Sequence, residues 1–193
     1  MHHDAHSELK QAMRTRHTDG RRALAAETER KLHLDRAIVE STLACIEAFG
    51  AGGRNVAVYN PLPSEPGPAD FAARIGTVAR EVFLPISLPG GVLAWAVAGE
   101  ARSGALGIDE PAGARFTSNV LRSCGLVVAP ALAVDRGGMR MGKGAGYYDR
   151  ALAGLDVPVA AVVYDSEVVD QVPREAHDQP VDAVITPSGF FRI

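Results

Sequence analysis

The sequence DRGGMRMGKGAGYYDR, residues 135–150, contains five glycines among its sixteen residues. Because glycine tolerates positive φ and lets the backbone approach a ligand closely, such a loop can turn successive N–H groups toward one anion. Arg140 and Lys143 place positive charge beside it. The loop follows the apolar run LVVAP (126–130), and ligands bind at such strand ends in open α/β sheets. These residues therefore predict an α/β fold with an anion-binding loop.

Two standard phosphate-binding motifs fail in this loop. Gly137, Gly142 and Lys143 fit the spacing of a P-loop, but Gly144 stands where a Ser or Thr must hold magnesium. A dinucleotide fingerprint that starts at Gly142 has Tyr147 where its third glycine belongs. A glycine-rich hairpin without a ligand remains an alternative at this point.

Short apolar runs on both sides of the loop predict the strands of a sheet. They lack polar alternation, which is typical of strands covered on both faces, as in α/β proteins. The runs are NVAVY (55–59), VFLPI (82–86), VLAWAV (92–97), VAAVVY (159–164) and DAVIT (182–186), with GFFRI (189–193) as an edge strand. A hairpin turn is expected at 88–91, an amphipathic helix from about Ala69 to Arg80, and a short helix that begins near Tyr147.

The N-terminal part is predicted to be helical. Residues 7–49 contain no proline, their apolar residues recur at helical spacing, and only Gly20 interrupts them. The simplest account is two helices joined near residues 18–22. Residues 60–68, NPLPSEPGP, hold four prolines and a glycine, so they predict a loop of restricted shape.

Composition excludes several classes of protein. Lys and Arg total 20 against 23 Asp and Glu, and this net charge of −3 argues against a general nucleic-acid or membrane-surface binder. Cys45 and Cys124 fit neither a zinc site nor a dithiol motif. The first 30 residues hold no apolar segment of signal-peptide length, and no run approaches the roughly 18 apolar residues of a membrane helix. We expect a cytoplasmic protein with reduced cysteines.

Basic residues on the first predicted helix are candidate anion ligands. Lys10 and Arg14 are four apart, and His17 and Arg21 continue the same face. Like charges at this spacing repel slightly, so they either point into water or converge on an anion such as a triphosphate. A solvated face is the simpler alternative when these residues are considered alone.

Carboxylates near the strands and the glycine-rich loop are candidate magnesium ligands, since Mg²⁺ takes one or two protein carboxylates besides phosphate oxygens and water. Asp149 ends the loop and Asp182 opens a predicted strand, although either can be a capping or turn residue. Asp178, beside His177, is a further candidate, and His177 itself is expected at a surface turn.

Residues 140–149 resemble the R-L-G-x-G-x-G-Y-Y-D signature of the 5-formyltetrahydrofolate cyclo-ligase family, also called methenyltetrahydrofolate synthetase. Four further segments resemble this family in the same order along the chain: Lys10-x-x-x-Arg14, residues 59–65, VVAPALAVD (127–135) and VPREAHDQPVDAVIT (172–186). Together these matches are far more specific than any one of them.

The resemblance implies a fold and an activity. The fold is a single cyclo-ligase-like α/β domain over residues 1–193, a three-layer α/β/α Rossmann-like open sheet, mostly parallel, with an N-terminal helical pair. The activity is the ATP- and Mg²⁺-dependent conversion of 5-formyltetrahydrofolate, with or without a polyglutamate tail, to 5,10-methenyltetrahydrofolate, ADP and phosphate. The formyl oxygen is phosphorylated and N10 then closes the ring. We expect a monomer that binds small molecules and neither nucleic acid nor membrane.

The resemblance also implies site residues. Those at the ATP phosphates are Lys10, Arg14, Arg140, Met141, Gly142, Lys143, Gly144, Ala145, Gly146, Tyr147 and Tyr148. Those on the folate side are Asn60 and Glu65, with Lys143, Gly144, Ala145, Gly146 and Tyr147 between the two ligands. Catalytic roles fall on Arg140, Lys143 and Tyr147, and magnesium on Asp149 and Asp182.

Departures from the family pattern bear on the substrate. Met141 replaces a leucine, Ala145 replaces a Gly or Lys in what we expect to be the tightest part of the loop, and Pro66-Gly67-Pro68 follows Glu65. Two alternatives stay open: an ATP-dependent paralogue acting on another formyl or carboxyl compound, and a catalytically silent nucleotide-binding domain. The complete set of charged residues argues against the silent domain.

Overall fold

The computed structural model describes residues 2–99, 101–103, 109–174 and 179–193. The helices are α1 (His2–Ala26), α2 (Thr28–Ala48), α3 (Phe71–Ile75) and α4 (Tyr147–Leu152), with 3-10 helices at Ser118–Ser123 and Asp165–Glu167. The first six strands are β1 (Asn55–Ala57), β2 (Val82–Leu88), β3 (Val92–Val97), β4 (Ala101–Ser103), β5 (Asp109–Pro111) and β6 (Cys124–Pro130). The others are β7 (Ala133–Asp135), β8 (Arg140–Met141), β9 (Val159–Val162), β10 (Val168–Val169), β11 (Ala183–Thr186) and β12 (Gly189–Arg192).

A seven-stranded sheet in the order β12-β11-β9-β6-β1-β2-β3 forms the centre. The five inner strands are parallel, and the edge strands β12 and β3 pair antiparallel to their neighbours. This confirms the predicted mostly parallel sheet and the edge position of the last strand. Smaller sheets are β10-β7-β8 and β4-β5.

Both faces of the central sheet are buried, which explains the strands without polar alternation. Leu126 and Val128 of β6 pack on the face covered by α2 and α3. Val127 and Ala129 pack on the opposite face, with the 3-10 helix that contains Leu121 and with α4. The predicted three layers are present, and the second helical layer is made of short elements.

The N-terminal helical pair is present, but the predicted junction near residues 18–22 is wrong. Helix α1 continues through Gly20 and breaks at Glu27, whose φ and ψ are −91° and 70°. A Cβ at Gly20 would meet no atom within 4 Å, so this glycine costs only its extra chain entropy, about 1 kcal/mol. Buried His17 and Arg21 on either side hold the helix there.

The predicted helix from about Ala69 to Arg80 is shorter than expected. Only Phe71–Ile75 is helical, and these two end residues are fully buried. Val78, which follows Ile75 at helical spacing, is 38% exposed, so the chain gains little from extending the helix past Gly76. In the part of the chain that the structure describes, no helix is long and apolar enough to cross a membrane.

Candidate functional site

A cleft of about 420 Å³ lies at the carboxyl ends of the parallel strands β1, β2 and β6. Its walls come from α1, the loop after β1, the β2–β3 hairpin and the segment from 140 to 149. Open α/β sheets bind ligands at these carboxyl ends of the strands, and the cleft volume suits a small-molecule site.

The structure brings all but one of the predicted site residues to this cleft. Those that line it are Lys10, Arg14, Asn60, Glu65, Arg140, Met141, Gly142, Lys143, Gly144, Ala145, Gly146, Tyr147, Tyr148 and Asp149. The predicted residue outside the cleft is Asp182.

Two basic residues of α1, Lys10 and Arg14, face the cleft and not bulk water. Lys10 and Arg14 lie one turn apart on the same face, and both are half-buried. The Nε atom of Arg14 donates to the carbonyl of Gly142 at 3.2 Å. Arg14 therefore links α1 to the glycine-rich segment, and the alternative of a solvated face does not apply to this pair.

Arg140 and Asp149 form an ion pair at the next part of the wall. The Arg140 Nη2 atom donates to Asp149 Oδ1 at 2.7 Å, and the arginine side chain is 7% exposed against 49% for the aspartate. Asp149 lies in the first turn of α4. One carboxylate oxygen is thus held by the guanidinium while the side chain stays open to the cleft.

Lys143 and Glu65 form a second ion pair, with 2.6 Å between Nζ and Oε1. Glu65 Oε2 accepts the backbone N–H of Leu62 at 2.9 Å, so both carboxylate oxygens have fixed partners. The Glu65 side chain is 8% exposed, whereas that of Lys143 is 52% exposed. The pair joins the proline-rich loop after β1 to the glycine-rich segment.

The glycine-rich sequence is not one continuous nest. Gly137 and Gly138 belong to the turn between β7 and β8, where a Cβ on Gly138 would lie 2.6 Å from the carbonyl of Val181. Residues 142–149 line the cleft instead. Gly138 is therefore required by packing, and only the later part of the sequence lines the cleft where an anion could bind.

The cleft part of the segment depends on left-handed glycines. Gly144 has φ +100° and Gly146 has φ +68°, conformations that other residues rarely adopt. Arg150 ties the segment to the β2–β3 turn, because its Nε donates to the carbonyl of Gly91 at 2.8 Å and its Nη2 to that of Ala145 at 2.6 Å. Ala145 is itself exposed, so its methyl is not confined as expected from the sequence.

The two adjacent tyrosines point different ways. The Tyr147 hydroxyl reaches the carbonyl of Leu88 at 3.4 Å. Tyr148 packs edge-on against Trp95, with 6.3 Å between ring centroids. Its buried hydroxyl has no hydrogen-bond partner in the described residues, and desolvation by burial, reinforced by Glu65, raises its pKa. An unpaired buried hydroxyl costs about 1–3 kcal/mol, so a ligand oxygen in the cleft would relieve that cost.

Asp182 does not join Asp149. Asp182 lies just before β11, at the amino ends of the parallel strands and so opposite the cleft. Its Oδ2 accepts the backbone N–H of Val159 at 2.8 Å. The carboxylate therefore secures the start of β9, which corrects its expected role as a magnesium ligand. His177 and Asp178 lie outside the described residues.

The described residues contain no cluster of three or more His, Cys, Asp and Glu side chains that could hold a metal ion.

Arg21 belongs to the wall of the cleft although it was not among the predicted site residues. Arg21 lines the cleft, is 4% exposed, and donates to both oxygens of Glu167 at 2.6 and 2.8 Å. Desolvation opposes its charge, but the hydrogen bonds and the charge of Glu167 outweigh it and raise the Arg21 pKa. The continuation of the Lys10 face was the available signal for Arg21, whereas nothing in the sequence marks Glu167 as its partner.

Comparison with known proteins gives a family match over most of the chain. The model of the 5-formyltetrahydrofolate cyclo-ligase family matches residues 6–187. A protein of Mycolicibacterium smegmatis named 5-formyltetrahydrofolate cyclo-ligase is 37% identical over 163 residues, which cover 77% of this chain and 81% of that protein.

Solved structures show the same fold. The NMR structure of Aquifex aeolicus 5,10-methenyltetrahydrofolate synthetase matches with a TM-score of 0.78 and 27% identity, over 95% of this chain and 92% of that one. The fold of a 5,10-methenyltetrahydrofolate synthetase from Mycoplasma pneumoniae matches with a TM-score of 0.69 and 23% identity, over 91% of this chain and 97% of that one. The resemblance found in the sequence is thereby confirmed, and the chain belongs to the 5-formyltetrahydrofolate cyclo-ligase family.

Proposed function

We propose that this protein converts 5-formyltetrahydrofolate to 5,10-methenyltetrahydrofolate with ATP and Mg²⁺, releasing ADP and phosphate. The observation that carries the proposal is the contact between Lys143 and Glu65, which sets the cationic, glycine-rich wall of the cleft against a buried carboxylate. Such a cleft can hold a phosphorylated group next to a group that must lose a proton. Family membership, shown over residues 6–187, supports the same activity.

The phosphates of ATP fit the wall built from α1 and the glycine-rich segment. Lys10, Arg14, Arg140 and Lys143 line it, and together they carry the positive charge that a triphosphate needs. Left-handed glycines let backbone N–H groups turn toward the same anion. The unpartnered hydroxyl of Tyr148 adds one donor that lies ready for a ligand oxygen.

Magnesium fits Asp149, which is about half exposed at the cleft. Mg²⁺ keeps several waters and takes one or two carboxylates plus phosphate oxygens, so a single protein carboxylate suffices. When bound, the ion would neutralise charge on the transferred phosphoryl group. Arg140 holds Asp149 Oδ1 and thereby orients the carboxylate.

The reaction balances with the groups that line the cleft. The formyl oxygen attacks the γ-phosphorus, the bond from that phosphorus to the ADP oxygen breaks, and the carbon becomes an activated imidate. N10 then attacks that carbon, the C–O bond breaks, and phosphate leaves with the former formyl oxygen. N10 also loses its proton. Positioning and charge neutralisation are the chief demands of such a transfer.

Glu65 and Lys143 would act at the point where the two substrates meet. Glu65 is a buried carboxylate able to accept the N10 proton, and its hydrogen bond from Leu62 fixes its direction. Lys143 and Arg140 would stabilise negative charge on the phosphoryl oxygens, while Tyr147 borders the same space. Asn60 lies beside them and would bind the folate. We further propose that residues 1–193 act as one such domain, as a monomer.

An isotope experiment tests this proposal. With ¹⁸O in the formyl group of the substrate, the proposed route delivers the label to the released phosphate, which mass spectrometry detects. One labelled phosphate is expected for each methenyl group formed. Unlabelled phosphate would contradict the route, because it would mean that water and not the formyl oxygen attacks ATP.

A further inference from the structure

A buried polar cluster lies behind the cleft and holds the loop that carries Glu65. Its centre is Asp35 of α2, which is 3% exposed and pairs with Lys31 one turn earlier. Asp35 Oδ1 accepts the backbone N–H of Gly67 at 3.0 Å and the hydroxyl of Tyr164 at 3.1 Å. This carboxylate therefore joins α2 and the segment after β9 to the proline-rich loop.

The same cluster binds the residues next to Gly67. Lys31 Nζ donates to the carbonyl of Glu65 at 3.1 Å, and the Tyr164 hydroxyl lies 3.3 Å from that oxygen. The hydroxyl of Tyr59 donates to the carbonyl of Pro66. Backbone groups of three successive residues are thus held by side chains from outside the loop.

The loop depends on these contacts because it makes few of its own. Pro61, Pro63, Pro66 and Pro68 have no backbone N–H to donate. Gly67 adopts φ +105°, and a Cβ there would lie 3.1 Å from the Cγ of Pro61. The sequence restricts the shape of the loop, while the buried cluster determines where the loop sits relative to the cleft.

We propose that Asp35, with Lys31 and Tyr164, positions the Glu65 carboxylate against Lys143 and so sets turnover on the folate side of the reaction. This inference rests on the proposed function of Glu65. None of these three residues lines the cleft in the described part of the chain, so they act through the loop and are positioning residues. Their contacts on both sides of Pro66 fix the peptide from which the Glu65 side chain extends.

The substitutions D35N and Y164F test the proposal. D35N removes the charge that pairs with Lys31, and Y164F removes the hydroxyl while keeping the ring. The matched control is T42V, since Thr42 is also buried on α2 and its hydroxyl donates to the carbonyl of Ile38, away from the loop. Y164F keeps the test informative if D35N does not fold.

We expect kcat/KM for 5-formyltetrahydrofolate to fall about tenfold or more in D35N and Y164F, while KM for ATP changes less than about twofold. T42V should match the wild type in both constants. When either substitution is combined with E65Q, kcat/KM for 5-formyltetrahydrofolate should fall little further than in E65Q alone, because the effect of both substitutions passes through Glu65. Wild-type folate kinetics in both variants, or losses that add fully to E65Q, would overturn the proposal.

A readout without turnover separates this inference from the proposed function. The Leu62 N–H, which donates to the Glu65 carboxylate, and the Gly67 N–H should exchange with deuterium faster in D35N and Y164F than in T42V. If these amides exchange faster in the two variants but the wild-type protein has no cyclo-ligase activity, only the proposed function is refuted. Unchanged exchange at both amides would refute the positioning role.

Discussion

The Nζ atom of Lys143 and the Oε1 atom of Glu65 lie 2.6 Å apart, the lysine on the open glycine-rich segment and the glutamate buried within the proline-rich loop. Their exposures differ, at 52% for the lysine side chain and 8% for the glutamate. The lysine can therefore move toward a phosphoryl oxygen while the glutamate stays fixed. Under the proposed function, this asymmetry would give the site an adaptable ATP side and a rigid folate side.

The substitution E65Q should lower kcat by about 100-fold or more, because the amide cannot accept a proton and general-base catalysis contributes on that order. ATP affinity, measured by calorimetry, should change less than about threefold. E47Q, at an exposed glutamate of α2, is the control and should behave as the wild type. Equal losses in turnover and ATP binding would contradict the assignment of Glu65 to the folate side.

D149N should raise the Mg²⁺ concentration needed for half-maximal activity by about tenfold or more, since an amide oxygen is a weaker magnesium ligand than a carboxylate. The thermal unfolding temperature should change little, because Asp149 is half exposed. D156N serves as the control at a side chain that is 98% exposed. An unchanged magnesium dependence in D149N would remove Asp149 from the site.

G144A should weaken ATP binding roughly tenfold. Its φ of +100° strains any residue with a Cβ, and that Cβ would lie 3.4 Å from the Cζ of Arg14. Strain of this kind costs about 1–3 kcal/mol, and about 1.4 kcal/mol is tenfold in affinity. G142A is the matched control, because its Cβ would meet only the Arg140 guanidinium at 3.9 Å. Equal ATP affinity in the two variants would show that the loop does not bind in this shape.

His17 should make stability depend on pH below neutrality. Burial is the main cause that lowers its pKa from 6.5, opposed by the charge of Glu167. The unfolded chain therefore takes up a proton at a higher pH than the folded chain. The stability that this residue contributes is complete above pH 6.5 and is lost as pH falls through the lower folded pKa.

The free energy of unfolding of the wild type should thus decrease between pH 6.5 and 5 with an extra slope of up to about 1.4 kcal/mol per pH unit that H17Q lacks. Denaturant unfolding at several pH values measures this slope. H33Q, at an exposed histidine, should follow the wild type. Parallel curves for H17Q and the wild type would refute the role of His17.

The strands could be predicted from the sequence because each is a short apolar run buried on both faces, as Leu126 and Val127 show on opposite sides of β6. The end of α1 could not be predicted, since a glycine such as Gly20 ends a helix only where tertiary contacts do not stabilise that helix. Arg21 supplies that contact through Glu167, a residue far along the chain that no local pattern connects to it.

Part of the site could likewise be predicted from the sequence, and part could not. The signature around Arg140 and Asp149 identified the wall of the cleft because its glycines and charges are close in sequence. Asp182 was misplaced because it opens a strand, whereas ligands in open α/β sheets bind at the carboxyl ends of the strands. The role of Asp35 could not be predicted because its partners, Gly67 and Tyr164, are distant in sequence and meet only in the fold.

The assay that tests the proposed reaction follows the absorption band of 5,10-methenyltetrahydrofolate in a mixture of the purified protein, 5-formyltetrahydrofolate, ATP and Mg²⁺. Parallel reactions omit each component in turn. A rise in absorbance that requires all of them is the predicted result. No rise in the complete mixture, with ATP binding intact by calorimetry, would contradict the cyclo-ligase activity.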